Sequence, residues 1–134
     1  MSQSKFEYKI KIREHDVDSY GHLNNASYLM LFEEARWEIV NDKGFSFAEI
    51  HNKKQGPVVL EVNLKFIKEI LLREDITIIT KVTGYKGKIG FMNQQMLKVD
   101  GTLACDAQFT FGLFDMNLRK LIEPTDEWRK ALMI

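Results

Sequence analysis

One polar segment, residues 13–28, contains most of the side chains suited to chemistry. Its candidate reactive side chains are Asp16, Asp18, His22, Asn24 and Asn25. An apolar stretch with helical spacing follows at once, so the two asparagines lie where a helix begins. A helix N-terminus presents unpaired backbone N–H groups and a partial positive charge, and it can hold an oxyanion.

A carboxylate beside such a terminus suits the cleavage of an activated acyl group. An ionised aspartate can attack an acyl carbon as a nucleophile, or it can act as a base toward water. Because its ordinary pKa is about 3.9, an aspartate is ionised at pH 7, although it is a weak base there. Thioesters are reactive acyl donors because a thiolate leaves readily. A carboxylate together with a helix N-terminus is therefore a sufficient minimal set of groups for cleaving a thioester.

Each polar residue of the segment also has a purely structural interpretation. Asp18 is either the reactive carboxylate or the cap of a turn, and Asp16 is expected to hold the loop through backbone hydrogen bonds. His22 can orient Asp18, bind the thioester oxygen or protonate the leaving thiolate, or it is a structural histidine satisfied by the loop backbone. Asn24 and Asn25 are helix caps first, and Asn25 would contribute to an oxyanion site through its main chain.

Hydrophobic periodicity predicts the elements that position this segment. Residues 26–40 form a helix with Asn24 or Asn25 as its N-cap and residues 41–44 as its stop. Its apolar stripe is predicted to contain Tyr28, Leu29, Phe32, Ala35, Arg36, Ile39 and Val40. Strands with a period of two are predicted at residues 5–13, 58–66, 76–82, 89–99 and 103–114, with turns at 84–87 and 100–101.

Two of these strands are predicted to present a continuous apolar row. The rows are Val58, Leu60, Val62, Leu64 and Phe66, and Leu103, Cys105, Ala107, Phe109, Phe111 and Leu113. One apolar helix and one sheet with an apolar face must cover each other. The expected fold is α+β, a curved antiparallel sheet wrapped around one long central helix, in a single domain of residues 1–134.

Composition excludes several classes of function. The chain is 45% hydrophobic and carries 19 basic and 19 acidic side chains, a charge balance that argues against general nucleic-acid binding. No run has the length of a signal peptide or a membrane span. Cys105 is the only cysteine, so it is expected to be packing material in a cytoplasmic protein. The three histidines lack metal-site spacing, so neither metal nor cofactor is expected, and His15 and His51 are interpreted as ordinary loop residues.

The same residues carry a resemblance to a known family. The pattern D-x-D-x-x-G-H-x-N-N-x-x-Y, residues 16–28, closely resembles the 4-hydroxybenzoyl-CoA thioesterase-like branch of the hotdog enzymes. Further similarities lie at Glu34-Ala35-Arg36, Gly56-Pro57-Val58-Val59 and Val99-Asp100-Gly101. The resemblance extends from about Phe6 to Pro124 and implies a hotdog fold and an acyl-CoA thioesterase.

The resemblance also implies an assembly and a set of site residues. The expected unit is a homodimer whose sheets join edge to edge, or a homotetramer, with active sites at the subunit interface. Asp18 would be the catalytic carboxylate, the backbone N–H near Asn25 would polarise the thioester carbonyl, and Tyr28 would shape the acyl pocket. The complete predicted site contains the catalytic residues Asp18, His22 and Asn25 and the substrate-binding residues Gly21, Asn24 and Tyr28.

The residues leave more than one function open. His22 and the Asn24-Asn25 pair make the chain more similar to fatty-acyl and plant acyl-carrier-protein thioesterases, so an acyl-carrier-protein substrate is possible. The residues also allow a hotdog hydratase or dehydratase and a non-catalytic acyl-thioester-binding module. The candidates for contacting CoA phosphates are Lys65, Lys68, Arg73, Lys86 and Lys88. Glu33 and Glu34 are expected to be solvated or to pair with Arg36.

Overall fold

The computed structural model describes residues 5–134. In chain order its elements are β1 (Lys5–Lys11), a short 3₁₀ helix (Glu14–Asp16), α1 (Asn25–Val40), α2 (Phe47–Lys53), β2 (Gln55–Phe66), β3 (Asp75–Lys86), β4 (Ile89–Lys98), β5 (Leu103–Asp115), β6 (Lys120–Ile122) and α3 (Asp126–Leu132). The order agrees with the expectation of one strand, one long helix and then four strands, but β6 and the short helices were not predicted.

The strands form one antiparallel sheet in the order β1-β3-β4-β5-β2, with β6 beside the end of β5. α1 lies on one face of the sheet, where Phe32 meets Phe109 of β5 edge to face at 6.0 Å between ring centroids. Ile78 of β3 and Met96 of β4 are fully buried in the same core. The predicted α+β fold, a curved sheet around one long helix, is confirmed. Within residues 5–134, no helix combines the length and apolar character needed to cross a bilayer.

α1 begins one residue before its predicted start, and Asn24 is its N-cap. The predicted stripe needs one correction, because Leu31 is buried while Leu29 is 42% exposed. Leu31 lies three residues after Tyr28 and four before Ala35, which is the spacing that keeps side chains on one helix face. Leu29 has that spacing to neither residue, so it points away from the sheet.

The predicted turn at residues 84–87 is wrong at its first three positions. β3 continues through these positions to its end, and the chain reverses at residues 87–88, where Gly87 has a φ of +60°. The register of β3 against β4 shifts between Val82 and Gly84. Gly84 therefore lies at a β-bulge rather than in a turn, which is a common position for a strand glycine.

Short elements escape the periodicity of the sequence. α2 and α3 have only seven residues each, which is too few for a helical pattern to be distinguished. Their capping residues are nevertheless present, because the side chain of Ser46 accepts from the Glu49 N–H and that of Thr125 accepts from the Trp128 N–H. His51, expected in a loop, lies in α2.

The two predicted apolar rows, in β5 and in β2, differ in how far they are buried. The row of β5 is confirmed for Cys105, Ala107, Phe109, Phe111 and Leu113, which are all buried, whereas Leu103 at its start is only partly buried. In β2, however, Leu60, Val62 and Phe66 are 47%, 38% and 57% exposed. β2 is an edge strand, and its register against β5 shifts between Val59 and Glu61. The predicted apolar face of β2 is therefore not buried as one row within a single chain.

Candidate active site

A hollow at the N-terminus of α1, called the polar pocket below, contains most of the predicted site residues. It is lined by Asp18, His22, Leu23, Asn24, Asn25, Tyr28, Phe66, Glu69 and Ile70. The loop before α1, the first turn of α1, the end of β2 and the segment after β2 each supply part of this lining. The structure thus brings the predicted residues together, with the exception of Gly21.

Gly21 shapes the loop that carries Asp18 and His22. Its N–H donates to the Asp18 carbonyl at 3.0 Å, and the Asp18 N–H donates to the His22 carbonyl at 2.9 Å. Gly21 has a φ of +78°, a left-handed conformation that glycine adopts without a Cβ penalty. Its carbonyl also accepts from the Leu72 N–H at 3.0 Å, which fastens the loop to the segment before β3. Gly21 therefore shapes the loop, and it does not itself line the polar pocket.

Asp18 uses one carboxylate oxygen to cap this turn. Its Oδ1 accepts from the Tyr20 N–H at 2.9 Å and from the His22 N–H at 3.2 Å. Its Oδ2 accepts no hydrogen bond from the described residues, and Asp18 lines the polar pocket. The turn-capping interpretation is thus correct, but it occupies one oxygen only. The bonds to Oδ1 hold the side chain in place, and the other oxygen remains available for chemistry.

Asp16 has the structural role that its sequence position suggests. It is buried, its Oδ2 accepts from the Arg13 N–H at 2.9 Å, and its Oδ1 lies 3.3 Å from Nε2 of His15. Its carbonyl accepts from the Asn24 N–H at 2.9 Å. Asp16 therefore connects the loop to the start of α1 and does not line the polar pocket.

The His22 ring pairs with a carboxylate that the sequence does not indicate. Its Nε2 lies 3.2 Å from Oε2 of Glu69, and both residues line the polar pocket. The hydrogen bond between His22 and the Asp18 carboxylate comes from the His22 backbone and not from the ring. Glu69 lies far along the chain in a segment without periodicity, so no local signal identifies it. The pair brings a second carboxylate and an imidazole into the polar pocket.

The first turn of α1 presents a backbone donor to the polar pocket. Asn24 caps the helix, since its Oδ1 accepts from the Ala26 N–H at 3.0 Å and its carbonyl accepts from the Ser27 N–H at 2.9 Å. The Asn25 N–H has no acceptor among the described residues. It lies at the positive end of a helix of 16 residues, where an oxyanion is stabilised. Asn25 can therefore act through its main chain.

Tyr28 and Phe66 form the apolar wall of the polar pocket. Their rings meet edge to face at 4.9 Å between centroids, and burial raises the pKa of Tyr28 to about 12. Cys105 lies behind this wall, paired in register with Phe66, and burial raises the pKa of its thiol to about 12. Both groups are neutral at physiological pH, so Cys105 has the predicted packing position and no thiolate character.

The predicted basic candidates do not converge on the polar pocket. They are Lys65, Lys68, Arg73, Lys86 and Lys88. The first two adjoin Phe66 in sequence, whereas the last two lie at the β3–β4 turn, at the end of the sheet away from Phe66. Arg73 is paired with Glu14, with 2.9 Å between Nη2 and Oε2. Only the first two therefore adjoin the polar pocket within one chain.

Arg36 has a different partner from the one expected. Its Nη1 donates to Oε1 of Gln94 on β4 at 2.9 Å, and its guanidinium lies 4.8 Å from the Phe109 ring centroid. Burial lowers the pKa of Arg36 from its ordinary value, and the charge of Glu33 partly offsets this. Glu34 instead accepts from the Tyr8 hydroxyl at 2.8 Å. Arg36 therefore joins α1 to the sheet and is not part of the polar pocket.

Comparison with known proteins decides the family. The family model of the thioesterase-like superfamily matches residues 12–132. The chain belongs to this superfamily. It is 32% identical over 126 residues to the long-chain acyl-CoA thioesterase FadM of Escherichia coli K12, covering 92% of this chain and 94% of FadM.

Solved structures agree with this assignment. The probable thioesterase YbaW of Escherichia coli superposes with a TM-score of 0.82 at 30% identity, over 95% of this chain and 96% of YbaW. The hypothetical protein SAV2348 of Staphylococcus aureus, solved in complex with CoA, superposes with a TM-score of 0.89 at 19% identity, over 99% and 84% of the two chains. At that lower identity SAV2348 supports the fold alone. The predicted family, hotdog fold and enzyme class, a thioester hydrolase, are confirmed.

Proposed function

We propose that this protein hydrolyses acyl-CoA thioesters to a free acid and CoA in the polar pocket. One observation carries the proposal: two residues that line the same hollow each carry a group without a partner among the described residues, a carboxylate oxygen and a helix N-terminal N–H. They belong to Asp18 and Asn25. Such a pair provides a nucleophile or base together with an oxyanion site. The relationship to FadM, named a long-chain acyl-CoA thioesterase, supports the acyl-CoA class of substrate.

In this mechanism the thioester carbonyl oxygen accepts a hydrogen bond from the Asn25 N–H. The Asp18 carboxylate either attacks the carbonyl carbon, forming a mixed anhydride that water then hydrolyses to the free acid and the restored carboxylate, or removes a proton from an attacking water. Negative charge then develops on the carbonyl oxygen at the positive end of α1, which stabilises the transition state. The C–S bond breaks, and CoA leaves as a thiolate that takes up a proton. His22, held by Glu69, lines the same pocket and is the imidazole placed to supply it.

The complete site needs a second copy of the chain, and β2 is the edge that would bind it. β2 is a 12-residue edge strand, and its exposed apolar side chains are Val59, Leu60, Val62 and Phe66. Long apolar edges are normally paired or protected. β1, the opposite edge, has only seven residues and carries Lys5, Lys9 and Lys11. Antiparallel pairing of two β2 strands about a two-fold axis gives the proposed homodimer; its assembly into tetramers and a cytoplasmic location stay predictions.

The first experiment measures thiol release from acyl-CoAs of increasing chain length and from an aromatic acyl-CoA. Asp18→Asn keeps the turn-capping oxygen and removes the charge, so kcat is expected to fall by about 10²- to 10⁴-fold. Asp100→Asn is the matched control, because Oδ1 of Asp100 also caps a turn, accepting from the Thr102 N–H at 2.9 Å, outside the polar pocket. Equal activity in the two variants would place the chemistry elsewhere. If the protein hydrolyses acyl-carrier-protein thioesters and no acyl-CoA, the proposed acyl-CoA substrate is wrong and an acyl-carrier protein takes its place.

A further inference from the structure

A second hollow lies between the C-terminal half of α1 and the sheet, and it is called the apolar cavity below. Its volume is about 210 Å³, and most of its lining is apolar. Trp37 of α1, Val59 of β2, Val82 of β3, Phe111 of β5 and Trp128 of α3 belong to the lining. An apolar cavity of about 150 Å³ is already large enough to bind benzene. This one therefore has room for an apolar group larger than a benzene ring.

The apolar cavity has an open side and a closed side. Val59, on the edge strand β2, is 45% exposed, and Trp37 of α1 is 38% exposed. At the other side, Trp128 and Leu132 of α3 are buried, with 2% and 6% of their surface exposed. A group that enters from the β2 edge therefore ends against α3.

Trp128 is held rigidly at this closed side. Its backbone N–H donates to Oγ1 of Thr125 at 3.1 Å, and its indole Nε1 donates to the Tyr85 hydroxyl at 3.3 Å. Its ring meets Phe45 at 4.9 Å and Phe111 at 6.4 Å between centroids, edge to face in both cases. Contacts on several sides fix the indole, so it forms a wall of defined position.

The apolar cavity and the polar pocket lie at opposite ends of β2 within one chain. Phe66, at the end of β2, lines the polar pocket, whereas Pro57, at its start, lines the apolar cavity. Antiparallel pairing of two β2 strands places the end of one strand beside the start of the other. In the proposed dimer, the open side of each apolar cavity therefore faces the polar pocket of the partner.

From this geometry we propose that the apolar cavity binds the acyl group of the thioester and that Trp128 limits its length. The proposal rests on the proposed function, since it takes the thioester to be bound in the partner's polar pocket. The acyl group extends from there across the β2 edge, past Val59, and ends against the indole. Trp128 is thus a specificity-determining residue on a short C-terminal helix, remote from the chemistry.

Trp128→Ala tests the proposal by removing the closed side of the apolar cavity. We expect the kcat/KM profile over saturated acyl-CoAs, butanoyl to hexadecanoyl, to shift toward longer chains, by about fourfold for each methylene newly accommodated. Val82→Phe fills the body of the apolar cavity and should shift the profile toward shorter chains. If Trp128→Ala does not fold, Val82→Phe alone tests the proposal.

Phe45→Leu is the matched control. Phe45 packs against the same indole and is fully buried, but it does not line the apolar cavity. The control should lower the melting temperature and leave the chain-length profile unchanged. An unchanged profile in both Trp128→Ala and Val82→Phe, with Asp18-dependent turnover intact, would overturn the proposal.

A second measurement separates this proposal from the proposed function. Isothermal titration of free fatty acids of the same lengths reports on the apolar cavity without any hydrolysis. If no variant hydrolyses acyl-CoA but the fatty-acid affinities of Trp128→Ala and Val82→Phe shift in opposite directions, the role of Trp128 stands and the proposed hydrolysis fails. If the affinities do not shift, the acyl group binds elsewhere.

Discussion

The polar pocket and the apolar cavity lie along the same helix and are built in different ways. Backbone groups and short side-chain caps form the polar pocket, as the bonds to Asp18 and the N–H of Asn25 at the helix end show. Large side chains from four or more separate elements form the apolar cavity. In the proposed function, chemistry at the first would depend on one loop and one helix end, whereas selectivity at the second would depend on side-chain volume. Substitutions in the two hollows should therefore change different kinetic constants.

Mixed dimers provide the strongest test of this division. Asp18→Asn leaves the apolar cavity intact, and Val82→Phe leaves the polar pocket intact, so each homodimer is expected to be inactive on a long-chain acyl-CoA. Val82 is buried in β3 and lines the apolar cavity. In a heterodimer, one site would combine the intact pocket of one copy with the intact cavity of the other.

Co-refolding the two variants should therefore restore about a quarter of wild-type activity, because random pairing gives half heterodimers with one working site each. A tagged and an untagged copy allow the heterodimer to be isolated and assayed alone. Absence of any restored activity in the purified heterodimer would show that both hollows of a working site belong to the same chain.

Disruption of pairing at the β2 edge should separate the polar pocket of one copy from the apolar cavity of its partner. Val62 is 38% exposed on the edge strand, and a lysine on a sheet edge opposes pairing with another chain. Val62→Lys is expected to give a monomer by light scattering and to lose long-chain turnover. Glu7→Lys, on the opposite edge strand β1, is the control and should remain dimeric and active. A monomeric and fully active Val62→Lys protein would contradict the proposed assembly.

The polar pocket and the apolar cavity each adjoin the N-cap of a helix. Substitution of either cap should have a similar effect on stability, and a smaller effect on activity than Val62→Lys. Asn24 caps α1 at the polar pocket, and Thr125 caps α3 at the apolar cavity. Replacing either by alanine is expected to cost about 1 kcal/mol of stability, which urea unfolding measures. Asn24→Ala should lower kcat across all chain lengths, because it loosens the helix end that presents the Asn25 N–H. Thr125→Ala should leave kcat for short chains unchanged and weaken discrimination among long ones.

The sequence predicts the polar pocket well because its parts are local. Asp18, His22 and Asn25 lie within eight consecutive positions, and a loop followed by a helix brings such residues together in almost any fold. Gly21 belongs to the same motif, but its left-handed φ serves the turn. Glu69 escapes prediction, because its pairing with His22 depends on how the segment after β2 meets the loop before α1. Only the folded chain defines that contact.

The sequence does not predict the apolar cavity, because the cavity also depends on how distant segments of the chain meet. Periodicity assigns Val82 and Phe111 to the inner face of the sheet, but it does not show where packing leaves a gap. It also does not show which strand forms an edge, so it predicts burial for side chains of β2 that are exposed. The signal for α3 is present at Thr125 and Trp128, as a capping residue three positions before a large aromatic residue. This signal is too short for the helix to be recognised without the structure.

Cys105 offers the smallest expected effect and tests the assignment of the chemistry to the polar pocket. The thiol lies directly behind Phe66 and close enough to Tyr28 to influence its pKa, so proximity alone would make it a candidate nucleophile. Burial raises the pKa of this thiol to about 12. The neutral thiol is therefore favoured in the folded state, and its stabilising contribution is complete below the pKa of the unfolded chain and is lost as the pH rises toward 12.

Native protein at pH 8 should accordingly react with a thiol reagent only in urea, and Cys105→Ala should retain the kcat/KM of the wild type for every acyl-CoA. The variant also removes the background thiol from the assay. Rapid labelling of the native protein, or a loss of activity in Cys105→Ala comparable to that in Asp18→Asn, would move the nucleophile from the loop before α1 to β5. The packing of Cys105 argues against this, since the fully buried sulfur has no access to a substrate in either hollow.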